Sequence, residues 1–173
     1  MHFKTFLLFT CLLTLSLAST KRLWTLSSPA FAPGGFIPYK YSGYTDKNIN
    51  PPLSLSWDPE ALPKGTKSLA LIVDDPDAPR VGAWRHWLVK DIPITTCYIA
   101  AGSVPGVQLE NSWGNAEYGG PTPPSGTHRY FFQLYAMPTK KLKATNGDDF
   151  YAEVLSNALG AAVLLGRYTA PDQ

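Results

Sequence analysis

Acidic side chains in a proline-rich turn are the first candidates for chemistry in this sequence. The motif D-D-P-D-A-P, at residues 74–79, directly follows an apolar run. Pro76 and Pro79 fix φ, so little entropy is lost when the carboxylates of Asp75 and Asp77 are aimed at a ligand. Turn aspartates commonly bond only their own backbone, and this alternative stays open. The alternating acids, glycine and late glutamate of a calcium loop do not follow the motif, so we expect no metal.

Two histidines beyond the N-terminal segment lie in the other unusual motifs. His86 stands in W-R-H-W, immediately before a predicted strand, and His128 opens the longest predicted strand after G-G-P-T-P-P-S-G at residues 119–126. The glycine pair of that loop offers bare backbone N–H groups. Tyr130 lies on the same strand face as His128. Imidazoles, a phenol and backbone N–H groups are hydrogen-bond donors, so these residues predict a pocket for phosphate or carboxylate.

The acid in such a pocket needs a role of its own. Asp75 either accepts a hydrogen bond from one imidazole and fixes its tautomer and charge, or it binds the cationic end of a zwitterionic ligand. Both alternatives stay open. We expect no enzyme, because the G-x-S-x-G nucleophile motif is absent and Cys97 has no evident histidine partner. Two histidines and one acid are also too few ligands for a metal hydrolase.

Composition restricts the class of partner. The chain has 173 residues, of which 45% are apolar and 13% aromatic, and its net charge is +2. Such a chain folds around a core, and so weak a charge gives no attraction to nucleic acid or to an anionic membrane. Its only cysteines are Cys11 and Cys97. A free cysteine is usually buried, and we expect Cys97 to be buried near the end of a strand.

The N-terminus predicts a secretory signal peptide. Lys4 precedes an apolar run at residues 6–17, and Ser16 and Ala18 are the small residues that a cleavage site requires. The run is shorter than the ~20 residues that cross a bilayer. We therefore expect a cut after Ala18, which gives a signal peptide at 1–18, a single domain at 19–173 with no membrane segment, and a periplasmic or secreted protein.

Short apolar segments separated by 16 prolines and 14 glycines are typical of an all-β dominated fold. Alternation and β-rich runs predict four strands, at Leu53–Trp57, Leu69–Val73, Trp87–Ile92 and His128–Met137. A helix is predicted from a cap at Asp148 or Asp149 to Leu165, with a stripe of Phe150, Val154, Ala158, Ala161 and Leu165 and a stop at Gly166. The sequence therefore predicts a β-sandwich with a C-terminal helix.

Together the three motifs resemble the phosphatidylethanolamine-binding protein family, also known as Raf-kinase-inhibitor-like proteins. The likeness is greatest to the bacterial branch. N-I-N-P-P-L-S at residues 48–54 and the late G-R-Y at 166–168 also match, so the resemblance covers about residues 27–168. It departs from the family pattern at Asn50, where serine is usual, and at Thr122, where bacterial members often have cysteine.

The resemblance implies a sandwich of antiparallel sheets with a small anion pocket at one end. Carried over to this sequence, the ligand-binding residues are Asp75, His86, His128, Tyr130, Trp84 and the backbone of Gly120 and Pro121, with Asp77, Pro76 and Pro79 in support. It also implies a cis peptide at Ala78–Pro79. The implied function is a non-enzymatic, cofactor-free binder of anionic or zwitterionic phosphorylated ligands such as phospholipid head groups. The alternative is a protease inhibitor, or a regulator that acts on a partner protein through its surface. A kinase partner is disfavoured because a signal peptide separates the chain from cytoplasmic kinases.

Overall fold

The structure is a computed structural model that describes residues 24–45, 47–56 and 61–171. The predicted signal peptide at 1–18 and Trp57 lie outside these residues. The described secondary structure runs in the order β1 (Thr25–Ser27), a 3₁₀ turn (Tyr39–Tyr41), β2 (Leu53–Ser56), β3 (Ser68–Asp75), β4 (Trp84–Ile92), β5 (Tyr98–Ile99), β6 (Val107–Leu109), β7 (Thr127–Met137), α1 (Gly147–Asn157) and β8 (Gly160–Thr169).

Two antiparallel sheets form the framework. One contains β1, β2 and β5 in that order, and the other has the order β6-β4-β3-β7-β8. Apolar side chains from both sheets meet in one core, which includes Leu26, Leu53, Trp87, Phe132 and Leu164. The prediction of an all-β dominated sandwich of antiparallel sheets with a helix near the C-terminus is confirmed.

The central strand β3 is buried on both faces, as its uninterrupted apolar run indicates. One face packs in the sandwich core, and the other lies beneath α1, where Ala70 and Ile72 contact Phe150 and Val154 in a second apolar cluster. The chain therefore has three layers, with β3 at the centre of the middle one. This rigid strand ends at Asp75 and carries the acid motif.

The predicted extent of the helix is wrong. The helix ends at Asn157, and Gly160–Thr169 forms β8, a strand that pairs with β7 along its whole length. An apolar run of this kind fits the period of a helix as well as that of a strand. In the structure every second residue from Ala162 to Tyr168 is buried, which is the period of a strand. Pairing with β7 therefore decides the conformation. The cap is also earlier than predicted, by two residues from Asp148 and three from Asp149, because the Asn146 side chain accepts from the Asp149 N–H.

A buried carboxylate lies between β3 and α1. The Asp74 side chain accepts hydrogen bonds from Gln133 Nε2 at 3.1 Å and from the Tyr151 hydroxyl at 3.3 Å. Burial raises the pKa of Asp74 to about 6, and these two hydrogen bonds only partly oppose the shift. The helix is thus attached to the sheet by a polar group as well as by its apolar face.

Two other expectations are corrected. Cys97 is exposed rather than buried. It lies between the turn at 93–96 and the two-residue strand β5, and its carbonyl accepts from Leu55 N–H. The described residues contain no cis peptide, so the bond between Ala78 and Pro79 is trans. None of the helices in the described part of the chain is long and apolar enough to span a membrane.

Candidate functional site

The three motifs converge because of the order of the strands. β3 lies between β4 and β7 and is antiparallel to both, so its C-terminal end lies beside the N-terminal ends of its two neighbours. Asp75 pairs with Trp84 on one side, and Asp74 pairs with Phe131 on the other. Residues distant in sequence therefore meet at one edge of the five-stranded sheet.

A β-bulge sets the position of His86. Val73 pairs with Trp87 but Asp74 pairs with Arg85, so β4 has one extra residue opposite the end of β3. Bulges bend a strand and re-aim a side chain, and they are frequent beside functional sites. His86 lies inside β4, which begins at Trp84, and not before the strand as the sequence suggested.

Both oxygens of the Asp75 carboxylate are engaged by the protein. Its Oδ2 lies 2.7 Å from His128 Nδ1, and its Oδ1 accepts from the Asp77 N–H at 2.8 Å. Asp75 and His128 are both buried. A carboxylate accepts only, so His128 Nδ1 carries a proton and its Nε2 is left for a ligand. This geometry matches the first of the two roles open to Asp75, that of orienting an imidazole.

His86 is held differently, through backbone. Its Nδ1 lies 2.7 Å from the Gly119 carbonyl, and its own carbonyl accepts from the Gly119 N–H at 2.8 Å. A carbonyl also only accepts, so the proton of neutral His86 is on Nδ1 and the lone pair is on Nε2. Burial lowers the pKa of His86 to about 4, against the opposing effect of the Gly119 carbonyl. His86 is therefore neutral at pH 7 and presents an acceptor.

Two indoles and a phenol ring surround these imidazoles. The Trp113 ring centroid lies 4.9 Å from that of His86 and 5.1 Å from that of Trp84, in both cases edge to face. Tyr130 packs on His86 at 5.1 Å. Sequence reasoning missed Trp113, which lies in a loop without strand periodicity. The only signal in the sequence is a tryptophan next to a glycine and close to two asparagines, which is typical of a loop.

The space between these groups is a cleft of about 200 Å³. That volume is below the ~300–1,000 Å³ typical of pockets for drug-sized ligands, so the cleft suits a small group. Its lining combines the two imidazoles with the indoles and the two loops, and comprises Asp75, Ala78, Pro79, Trp84, His86, Trp113, Thr122, Pro124 and His128. We call this space the histidine cleft.

One buried donor in the cleft lining, Trp84 Nε1, has no hydrogen-bond partner among the described residues. The predicted site residue Tyr130 is not part of that lining. It packs on His86 near Asp75, and its enclosed hydroxyl forms no hydrogen bond of good geometry among the described residues. Burial, and then the negative charge of Asp75, raise the pKa of Tyr130, so it keeps its proton. An unsatisfied buried donor costs about 1–3 kcal/mol, which a ligand acceptor would recover.

The glycine loop has a packing role. The Gly119 N–H is already bonded to His86, and a Cβ on Gly119 would lie 2.4 Å from the Trp113 ring. A Cβ on Gly120 would lie 2.3 Å from the Gly43 nitrogen, and the Pro121 carbonyl accepts from that same N–H. Gly120 and Pro121 therefore pack on the 42–43 segment beside the cleft.

Asp77 supports the acid turn from outside. Its carboxylate accepts from Arg129 Nε at 2.9 Å and from Nη2 at 2.6 Å, and also from the Arg129 backbone N–H. These hydrogen bonds lower the pKa of Asp77 to about 2. The turn that contains Pro76 and Pro79 is thus tied to the start of β7, which holds Asp75 and His128 in register.

The site's chemistry follows from this donor and acceptor pattern. His128 is oriented by its Nδ1 contact with Asp75 and offers Nε2, Trp84 supplies a neutral donor, and His86 supplies an acceptor. In the described part of the chain no three His, Cys, Asp or Glu side chains are grouped so as to hold a metal ion. The arrangement suits an oxyanion that also carries a hydroxyl hydrogen.

Comparison with known proteins gives matches over most of the chain. Residues 27–169 match the family model of the phosphatidylethanolamine-binding protein. A UPF0098 protein of Methanothermobacter thermautotrophicus is 41% identical over 152 residues, which span 83% of this chain and 97% of that protein. A UPF0098 protein of Chlamydia pneumoniae is 38% identical over 83% of this chain and 97% of its own length.

Two crystal structures have the same fold. YbcL of E. coli, described as a member of the mammalian PEBP family, superposes with a TM-score of 0.77 at 28% identity, covering 87% of this chain and all of that one (100%). CT736 of Chlamydia trachomatis, described as a homologue of the same family, gives 0.76 at 33% identity over 86% of this chain and 99% of that one. The chain is a member of the phosphatidylethanolamine-binding protein family.

Proposed function

We propose that this protein is a non-enzymatic binding protein whose histidine cleft takes the anionic end of a phosphorylated or carboxylated small molecule. The observation that carries the proposal is the buried His128–Asp75 pair in the lining of a small cleft, with Nδ1 and Oδ2 2.7 Å apart. The carboxylate accepts the Nδ1 proton and so orients the imidazole, whose protonated Nε2 would donate to an anion.

The neighbouring donor supports the same function. The enclosed Trp84 Nε1 lies in the cleft lining and needs an acceptor, which an oxyanion supplies. No serine or cysteine lies among the described residues that line the cleft, so the nucleophiles of Ser-His and Cys-His hydrolases are not among them. Binding, rather than turnover, is the activity that these groups support.

We further propose export, on the sequence alone. The segment before Ser19 combines Lys4, an apolar run and the small residues Ser16 and Ala18. Intact-mass measurement on protein from its native host is expected to give a chain that begins at Ser19, in a periplasmic or secreted fraction. A cytosolic protein that retains Met1 would refute export without touching the binding proposal.

Calorimetric titration with inorganic phosphate at pH 6.5 tests binding. We expect Kd near ~1 mM, since a small anion makes few contacts. His128→Ala should cost roughly 1.5–3 kcal/mol, the usual contribution of a charge-assisted hydrogen bond. If both His128→Ala and His86→Ala still bind phosphate as the unsubstituted protein does, the proposal fails, and a regulator that acts through its surface is favoured instead.

Asp75→Asn gives the sharper test, because two physical accounts predict opposite signs. Simple charge repulsion predicts tighter anion binding when an acid is removed, whereas loss of the partner of His128 predicts weaker binding. We expect weaker binding of phosphate and phosphoethanolamine alike. If only phosphoethanolamine is affected, Asp75 holds the cationic end instead. Asp74→Asn is the matched control, because it removes the adjacent charge from the opposite face of β3 and should not weaken binding.

A further inference from the structure

A second cavity adjoins the histidine cleft and shares two of its residues. Trp113 and Thr122 line both spaces, and the second has a volume of about 190 Å³. Its remaining side chains are polar, and they are contributed by Asn48, Asn111, Asn115 and Glu117. Among the described residues that line it there is no lysine, arginine or histidine. We call this space the asparagine cavity.

Hydrogen bonds and close packing hold the wall between the two spaces in place. Asn111 is buried, and its Oδ1 accepts from the N–H groups of Trp113 at 2.9 Å and Asn115 at 3.2 Å. Its Nδ2 donates to the Glu117 carbonyl at 3.0 Å. The Trp113 indole also packs so closely on Gly119 that a Cβ there would lie 2.4 Å from the ring. The indole is 43% exposed and therefore offers free surface to a ligand.

The side chains that line the asparagine cavity indicate the chemistry of the ligand group that would bind there. Amide side chains donate and accept, and a carboxylate accepts, so together they match the hydroxyl groups of an alcohol, each of which does both. An indole beside them gives C–H and apolar surface to pack on. Three of the four polar side chains are neutral amides. The one carboxylate, Glu117, is exposed and accepts from Asn48 Nδ2 at 3.4 Å, so the cavity presents mainly neutral donors and acceptors.

The histidine cleft adds a requirement at the phosphate end. Neutral His86 offers an acceptor, which pairs with a hydrogen that the ligand must supply. A phosphomonoester has a second pKa near ~6 and keeps one P–OH for part of the time near neutral pH, whereas a diester has none. The ligand's phosphate is therefore better matched as a monoester.

We infer that the ligand is a phosphate ester of a polyhydroxylated alcohol, with its phosphoryl group in the histidine cleft and its hydroxylated part beside Trp113 in the asparagine cavity. This inference rests on the proposed anion-binding function and extends it to the organic part of the ligand. The same chemistry occurs in free sugar and glycerol phosphates and, as a diester, in lipid head groups.

Titration calorimetry at pH 6.5 with four probes tests it. The probes are inorganic phosphate, glycerol 3-phosphate, glycerophosphoglycerol as the head-group diester, and phosphoethanolamine. We expect glycerol 3-phosphate to bind about tenfold tighter than phosphate, from one or two added hydrogen bonds, and the diester to bind more weakly than the monoester. A diester that binds tighter than the monoester would overturn the assignment to a free monoester and indicate a lipid head group.

Variants of the asparagine cavity separate this inference from the function on which it rests. Asn115→Ala should remove most of the gain for glycerol 3-phosphate and leave phosphate binding unchanged. Glu117→Gln, which keeps an oxygen acceptor, and Asn157→Ala, on α1 outside the cavity lining, should change neither. Equal affinities for phosphate and glycerol 3-phosphate would overturn the inference and leave the anion site standing. If phosphoethanolamine binds most tightly of the four probes, and Glu117→Gln weakens its binding, the inference is overturned and the cavity is a cation site. Failure of all four probes would sink both proposals.

Discussion

Asp74→Asn should stabilise the protein, and only at pH values where Asp74 is ionised. The residue Asp74 is 5% exposed, and burial raises the pKa of its carboxyl from an ordinary value of 3.8 to about 6. Between these values the folded state binds the proton and the unfolded state releases it. Stability therefore falls as the pH rises through this window, and the loss persists above it.

The magnitude follows from the size of the shift. A difference of about two pKa units corresponds to about 3 kcal/mol at pH 8, at 1.36 kcal/mol per unit. Asparagine carries no charge, accepts from Gln133 with its oxygen and donates to the Tyr151 oxygen with its amide, so both hydrogen bonds can persist. The gain should be near the full value at pH 8 and close to zero at pH 4.

Urea unfolding of both proteins at pH 4 and pH 8 measures the difference. Asp77→Asn is the control of opposite sign, because Arg129 lowers the pKa of Asp77 to about 2. That substitution should destabilise at pH 8, by at most about 1 kcal/mol since the pair is partly exposed. A stabilisation by Asp74→Asn that is equal at both pH values, or a destabilisation at pH 8, would refute the reasoning.

The remaining predictions concern packing and exposure. Phe150→Ala should destabilise the protein by about 3–5 kcal/mol in urea unfolding, because the side chain is fully buried between α1 and β3. Leu155→Ala, on the exposed side of the same helix, should change stability by less than ~0.5 kcal/mol. Equal effects would contradict the described orientation of α1. Cys97 should react rapidly with a thiol reagent in the folded protein, because it is exposed; protection until unfolding would contradict its position.

Local patterns predicted the sandwich because its strands differ in their burial. Leu69–Val73 is continuous and lies in a doubly covered strand, and the alternation from His128 onward matches β7, whose even-numbered residues face the core. The run from Ala161 to Leu165 fits a helix as well as a strand, and only its pairing with β7 decides between them. Sequence periodicity contains no information about that long-range contact.

The candidate site was predictable in its residues more than in their roles. The motifs supplied Asp75, His86 and His128, since prolines, glycines and histidines in such order are uncommon. The bulge that re-aims His86 and the carbonyl that fixes its tautomer depend on the register between strands and on a loop 33 residues away in sequence. Trp113 reaches the cleft from a loop whose position no local pattern specifies.

Imidazole NMR during a phosphate titration at pH 6.5 tests the central claim most directly. Before addition, His86 should show the neutral form with its proton on Nδ1, because its pKa is lowered to about 4 and the Gly119 carbonyl accepts from that atom. Phosphate should then shift the Nε2 signals of both His86 and His128 along one saturable curve with Kd near ~1 mM. Signals of both imidazoles that stay unmoved at saturating phosphate would contradict an anion site between them.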